Sequence, residues 1–175
     1  DSFEEIAVST GGSDPSVQTP GVQMNLVTKR GSNEVHGSAR VLVTDQRWQA
    51  GNISDELAAN LKKYGGIAAT NQIQGIQDDG ADVGGPILKD RLWAWGSYGR
   101  NQIDLITVGG ATDKTTLENL NAKINAQVVE SNAATAFYSR GDKIKLVRNA
   151  GPTRPAETAW NQSGPTTVYK IEDSQ

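Results

Sequence analysis

The sequence predicts an all-β chain laid out as an antiparallel meander, and three observations carry that expectation. Apolar and polar residues alternate with a period of two along most of the chain. Helix signals are confined to one short stretch. The connections between candidate strands alternate between long and short.

Composition narrows the class further. At 175 residues the chain has the length of one ordinary domain. Leu, Ile, Val and Phe together make only 36 of those residues, while the net charge is −3, so self-repulsion does not explain the thin apolar content. No run approaches the 18 or so apolar residues of a membrane helix, which excludes a helical membrane protein. With no cysteine, disulfides and thiolate metal sites are excluded, and one histidine excludes motifs that need two. Lys and Arg are spread along a net acidic chain and leave no basic footprint for nucleic acid. The first residue is Asp1, and no charged and apolar leader follows it, so the chain is expected to be part of a longer protein.

Taken in order, Val22 to Thr28 alternates Val22, Met24 and Leu26 with Gln23 and Asn25. Glu34 to Thr44 sets Val35, Ala39, Val41 and Val43 against Glu34, His36, Ser38 and Arg40. A long polar stretch over 45–80 follows. Within it, Ser54 to Tyr64 reads as a short helix, with Ser54 as N-cap, Leu57 and Leu61 four apart, and Gly65 and Gly66 at its end. Ala81 to Leu88 and Arg91 to Val108 are strands separated by a very short break at Leu88 to Asp90. After a medium loop at Gly109 to Thr115 comes the clearest alternation of all. Leu120, Ala122, Ile124, Ala126 and Val128 take one face, opposed by Asn119, Asn121, Lys123, Asn125 and Gln127. A tight turn at Glu130 to Ala133 leads to Ala134 to Val147. A long connection, 148–165, precedes Thr166 to Glu172.

Alternating connection lengths suit a meander whose two ends lie in different settings, as in outer-membrane barrels with short periplasmic turns and longer outer loops. The faces point the same way. A water-soluble sandwich needs a continuous apolar interior, whereas here lean Ala- and Gly-rich faces oppose faces of amides and charges. An outward apolar band around a polar lumen needs no such interior, because lipid covers the band. Trp93 and Trp95 lie where an interfacial aromatic girdle would sit, the alternative being two ordinary core tryptophans. Six candidate strands after residue 33 fall short of the roughly 8 that close a barrel, and an open edge has no partner in lipid. The missing strands are therefore expected on sequence outside this chain.

Three stretches resemble one family. Gly21 to Arg40, "GVQMNLVTKRGSNEVHGSAR", resembles the plug-to-barrel junction of TonB-dependent outer-membrane receptors. The matching positions are Asn25, Thr28, Lys29, Gly31, Ser32, Asn33, His36, Gly37 and Ser38. Gly84 to Gly99, "GGPILKDRLWAWGSYG", looks like the second barrel strand, its turn and the third. Gly151 to Gln175 is similar to a segment of the Oar-like branch, whose members often carry an N-terminal carboxypeptidase-regulatory-like domain. One departure is the stretch Ser13 to Gly21, "SDPSVQTPG", where the family's plug usually carries a Tyr-Gly pair. The resemblance implies residues 1–33 as the end of a plug domain and 34–175 as the first strands of an incomplete barrel, with outer loops near 45–80 and 148–165. It also implies a bacterial outer-membrane location and uptake or transport of an unidentified ligand. The implied partners are outer-membrane lipid and the TonB energy-coupling protein, the latter acting through segments absent here. A soluble β-rich binding or adhesion module is the alternative, and a small eight-stranded barrel is a third reading, for which residues 67–77 offer a poor extra strand.

The remaining motifs carry little chemistry. His36 has no second His, Cys or carboxylate cluster and reads as a strand residue hydrogen-bonded near the plug. Asp78, Asp79 and Asp82 fail the spacing of a calcium loop and read as a solvated turn entering a strand. Arg140-Gly141-Asp142 is a chance triplet, and the acceptor triplets at Asn52 and Asn161 have no use in an outer membrane. Trp48, Tyr64 and Trp160 fall in the outer loops, where packing is favoured over ligand stacking. No catalytic, metal, cofactor or ligand-binding residue is assigned, and the chain is expected to be no enzyme.

Overall fold

A computed structural model describes residues 2–10, 21–51 and 53–175. Residues 13–20 of the SDPSVQTPG stretch, and Asn52 of the first acceptor triplet, lie outside the described residues. The fold is all-β and antiparallel, as the sequence predicts. Strands β1 (Phe3–Ser9) and β2 (Gln23–Thr28) form a two-stranded ribbon. The large sheet runs β3 (His36–Asp45), β4 (Gln72–Leu88), β5 (Leu92–Ile106), β6 (Thr112–Val129), β7 (Asn132–Arg148), and then β8 (Trp160–Ser163) and β9 (Thr166–Ser174), both paired with β7. Strand β3 at one side and β8 with β9 at the other are its edges, and among the described residues the sheet does not close. No helix is long and apolar enough to cross a membrane.

Strands β8 and β9 are one line with a break at Gly164 and Pro165. Ile144 faces Ser163 and Gly141 faces Thr166 in the same register, and Gly164 N–H bonds the Lys143 carbonyl across the break (3.0 Å). Alternate residues of an antiparallel strand point their N–H groups to opposite sides. Pro165, next to Gly164, therefore turns its missing N–H toward the open edge, where the β7 ladder loses nothing.

Two expectations about extent are corrected. The polar stretch 45–80 is not all loop: its last nine residues, 72–80, are the first half of β4. Residues of both polarities occupy both faces there, so no alternation is legible, but β3 and β5 satisfy the backbone from either side. The Asp78, Asp79 and Asp82 group consequently sits in mid-strand rather than in a turn. The connection over 148–165 is likewise shortened by β8. Strand β1 had no expectation at all. The helix does form: α1 (Asp55–Lys63) starts at Ser54, whose side chain accepts the Leu57 N–H.

The register sorts the side chains onto two faces of opposite character. One row across the sheet is Ser38, Asp82, Ser97, Asn121 and Ser139. It lies on the face that meets the ribbon junction, and Asp82, Ser97 and Asn121 are buried. The neighbouring row on the other face is Gly37, Val83, Gly96, Ala122, Tyr138 and Tyr169, flanked by the row of Leu120 and Tyr98 and that of Ile124 and Ile171. These large apolar groups are bare: Leu120 and Ile124 are each 46% exposed and Ile171 is 86% exposed. The bare face turns charged at Arg140, the partner of Leu120, and in the next row at Asp79, Arg100, Glu118 and Asp142, with Arg100 Nε 3.5 Å from Glu118 Oε1.

Trp93 and Trp95 belong to the covered face, which removes them as a girdle. They share a parity with Ser97, opposite Asn125 and Lys123, and Trp95 is 2% exposed. The aromatics on the bare face are instead Tyr98, Tyr138 and Tyr169, the last two with ring centroids 5.3 Å apart.

At the end of the sheet away from the short turns, three connections interlock. Ile67 N–H bonds the Val108 carbonyl (2.8 Å) and the Asn71 side chain accepts the Val108 N–H (2.9 Å). On the other side of this tip, a Cβ at Gly109 would lie 2.5 Å from the Gly151 carbonyl carbon. Trp48, Tyr64 and Trp160 do not pack this cluster down. All three are largely exposed, Tyr64 beneath Lys63 and Trp160 beneath Arg154. The expectation of packing is therefore corrected: the loops are pinned by backbone contact, which left the rings free of that role. Gly109→Ala should push the tip away from 150–152, and limited trypsin digestion should then cut after the exposed Arg148 several-fold faster than in the parent protein.

Candidate functional site

Around the chain leading from β2 into β3, the ribbon meets the covered face of the large sheet. Sequence alternation puts polar side chains on that face, and the register gathers them under residues 28–33. Lys29 Nζ lies 3.2 Å from Asp82 Oδ1. Ser38 donates a short hydrogen bond to the same oxygen, and Trp95 Nε1 points at Asp82 Oδ2 from 3.5 Å. From the other direction Lys123, on β6, donates to the Thr28 carbonyl (3.2 Å) and hydroxyl (3.0 Å). Two consecutive residues are thus gripped from β4 and from β6, across β5.

Ser2 adds a third hold. Its carbonyl accepts the Lys29 N–H (3.0 Å), and its hydroxyl is 3.2 Å from Ser97 Oγ and accepts from Asn121 Nδ2 at 3.0 Å. Farther along the same face, Arg40 donates to Asp78 Oδ1 through Nε (3.0 Å) and Nη2 (2.7 Å), and Asn101 Nδ2 donates to Asp78 Oδ2 (2.9 Å). The buried Asp82, Ser97 and Asn121 are tolerated on this face because each is met by a hydrogen-bond partner, whereas the Asn101 Oδ1 is buried without one.

At the short-turn end the chain is wedged. Gly31 is buried against β5, and a Cβ there would fall 2.5 Å from the Ala94 carbonyl oxygen. Asn33 serves as a hub: its Oδ1 accepts from the Asp90 N–H (2.9 Å) and from Trp93 Nε1 (2.8 Å), while its Nδ2 donates to Asp90 Oδ1 (2.6 Å). Asp90 is at φ +63°, a left-handed conformation that Asp tolerates better than most residues, and Asn33 braces it. A cleft of about 480 Å³ lies beside this wedge, lined by Arg30, Asn33, Trp93, Asn125, Gln127 and Thr135 among others.

The residues weighed in the sequence are placed as follows. His36 stands opposite Gly84 on the covered face, its Nδ1 3.2 Å from the Glu34 carbonyl and 3.4 Å from Ser32 Oγ. Asp78 and Asp82 share the covered face while Asp79 lies on the bare one, so the three do not converge. Among the described residues, no group of three His, Cys, Asp or Glu could hold a metal ion. Arg140, Gly141 and Asp142 are in mid-strand β7, paired with β6. Asn161 accepts the Val147 N–H through its side chain. The cluster that sequence reasoning missed is Lys29, Ser38, Asp82, Trp95 and Asn121. Its signal was the polar parity of each strand, but the order of strands was needed to align the parities.

The chain is similar to the TonB-dependent transporter Oar of Myxococcus xanthus, 34% identical over 96 residues, which is 54% of this chain and 9% of that protein. The match therefore spans about a tenth of the length of that relative and supports a TonB-dependent receptor relationship in part. No protein-family profile and no solved structure matches the chain.

Substitutions at the wedge should cost stability at different scales. Gly31→Ala is expected to lose about 1–3 kcal/mol by overpacking, and Asn33→Ala about 1–2 kcal/mol through its lost hydrogen bonds. Denaturant titration of the full-length protein, followed by its total tryptophan fluorescence, measures both.

Proposed function

We propose that this chain is the plug-to-barrel region of a TonB-coupled outer-membrane transporter. In this reading residues 1–33 end a plug and 34–175 are the first barrel strands, with lipid against the bare face and the lumen on the covered one. The observation that carries it is the inversion of the large sheet. Asp82, Ser97 and Asn121 are buried on one face, while Leu120, Ile124, Val83 and Ile171 are exposed on the other. In water that arrangement would leave a broad apolar surface unprotected, whereas in a bilayer it is the expected one. Its extent fits as well. Leu120 to Val128 is nine residues long, within the roughly 9–11 that a tilted membrane-spanning strand uses. The charges at Arg140, Arg100 and Glu118 would mark its outer limit, with Tyr98 in the row of Arg140 and Tyr138 and Tyr169 one row inside it.

The similarity to a TonB-dependent transporter supports the same reading. Function would then be uptake or transport of an unidentified ligand, with TonB acting through segments outside this chain and no catalytic step. Connections 46–71, 107–111 and 149–159 would face outward, and the turns 89–91 and 130–131 would face the periplasm. Each outward connection is longer than either inward turn.

Two experiments test this proposal. Ile124→Arg should destabilise the refolded full-length protein in lipid by about 2–4 kcal/mol if it lies near the midplane, and Asn119→Arg by far less. Equal costs would reject a lipid-facing β6 and favour a soluble module. In intact cells a membrane-impermeant thiol reagent should label Cys placed at Lys62 or Arg154. Cys at Lys89 should label only after the outer membrane is permeabilised, and the reverse pattern would invert the topology.

A further inference from the structure

We propose that Lys29 and Asp82 form a releasable latch beside a fixed pivot at Gly31 and Asn33, so that the end of the β1–β2 ribbon detaches from the large sheet by parting this ion pair. The purpose of such release rests on the transport reading, while the latch geometry stands without it.

Contacts around the junction are of two kinds. Those at Gly31 and Asn33 are main-chain packing and a braced turn. Gly31 leaves no room for even a methyl group against Ala94, and Asn33 is bonded at three points to Asp90 and Trp93. This part moves only if the β4–β5 turn moves with it. Contacts at Ser2, Thr28 and Lys29 are polar side-chain contacts, each of which can be exchanged for water. Chain freedom to rotate between the two kinds lies at Arg30, an exposed residue.

Within the second kind, the ion pair differs from the rest. The Asp82 side chain is 3% exposed and that of Lys29 is 28% exposed. The carboxylate is sunk in the sheet with one donor already on each oxygen, Ser38 on Oδ1 and Trp95 on Oδ2. Strands β3, β4 and β5 supply this socket from within the large sheet, and the cation is the part that the ribbon brings. When Lys29 leaves, Ser38 and Trp95 still orient the carboxylate, but its charge is uncompensated, which drives the ribbon back. A hydrophobic contact of the same size would lack this preformed, directional return. Lys123 holds the adjacent Thr28 only by its neutral oxygens, so it assists the docking without supplying a counter-charge.

Hydrogen exchange of the full-length protein in detergent, read by mass spectrometry, tests the latch. Lys29→Met and Asp82→Asn should each raise exchange in residues 23–29 by about tenfold or more. Residues 31–36 and 92–97 should be unchanged. The double variant should be no faster than the faster single one, because both remove the same interaction. Lys29→Arg should restore slow exchange. Unchanged exchange in Lys29→Met, additive effects, or a rise that spreads into 92–97 would each overturn the proposal. Should Asp82→Asn fail to fold, the Lys29→Met and Lys29→Arg pair decides alone. A soluble outcome for the Ile124→Arg comparison, with the latch intact, would reject the transport reading and leave the latch standing.

Discussion

Through the middle of the large sheet each strand keeps one register with its neighbours, shifting only near the strand ends, and that register decides which solvent each side chain meets. Because side chains alternate with a period of two, a slip of one residue would turn Leu120, Ile124 and Ile171 inward and Asp82, Asn121 and Lys123 outward. Both faces would then be wrong at once. The turn at 89–91, braced by Asn33, and the two-residue turn at 130–131, where Gln127 Nε2 donates to the Val129 carbonyl (2.8 Å), fix that register at one end. At the other, the loop tip 107–111 is held between 66–71 and 150–152.

The same register explains why so few apolar residues suffice. Among the described residues the buried hydrophobic side chains are Trp95 and Ala150, and the interior of the covered face is built from Ser, Asn, Asp and Lys instead. Polar groups hold an interior only when each has a partner. Here many of the partners come from the ribbon junction, Ser2 for Ser97 and Asn121, Thr28 for Lys123 and Lys29 for Asp82, while Ser38 and Trp95 add theirs to Asp82 from within the sheet. The ribbon and the sheet are complementary through hydrogen bonds and charge rather than through apolar packing. An interface of that kind can part and reform in the presence of water, which an apolar core does not do readily.

Sequence legibility followed the strength of the alternation. Strand β6 was readable because five apolar residues oppose five polar ones, and it emerged with the faces expected. The first half of β4 was not, because Gln72 to Gly80 mixes Ile, Gln, Asp and Gly on both faces, and only pairing to β3 and β5 makes it a strand. Strand β1 pairs with a strand well downstream, an interaction that no local window contains. For Trp93 and Trp95 residue spacing locates both along the strand but leaves their side open, and the odd parity of β5 turns both to the covered face.

What the sequence determined by itself was therefore the local geometry: extended strands, one capped helix, and connections of alternating length, all consequences of residue spacing and backbone preference. What only the tertiary structure decided was which parities face one another. Asp82 is a mid-strand carboxylate until β4 lies between β3 and β5, which brings Ser38 and Trp95 to its oxygens and leaves it beneath Lys29. Residues 29, 38, 82 and 95 are too far apart in the chain for local spacing to bring them together. Their meeting depends on strand order and register, which are set by the summed pairing of all the strands rather than by any one segment.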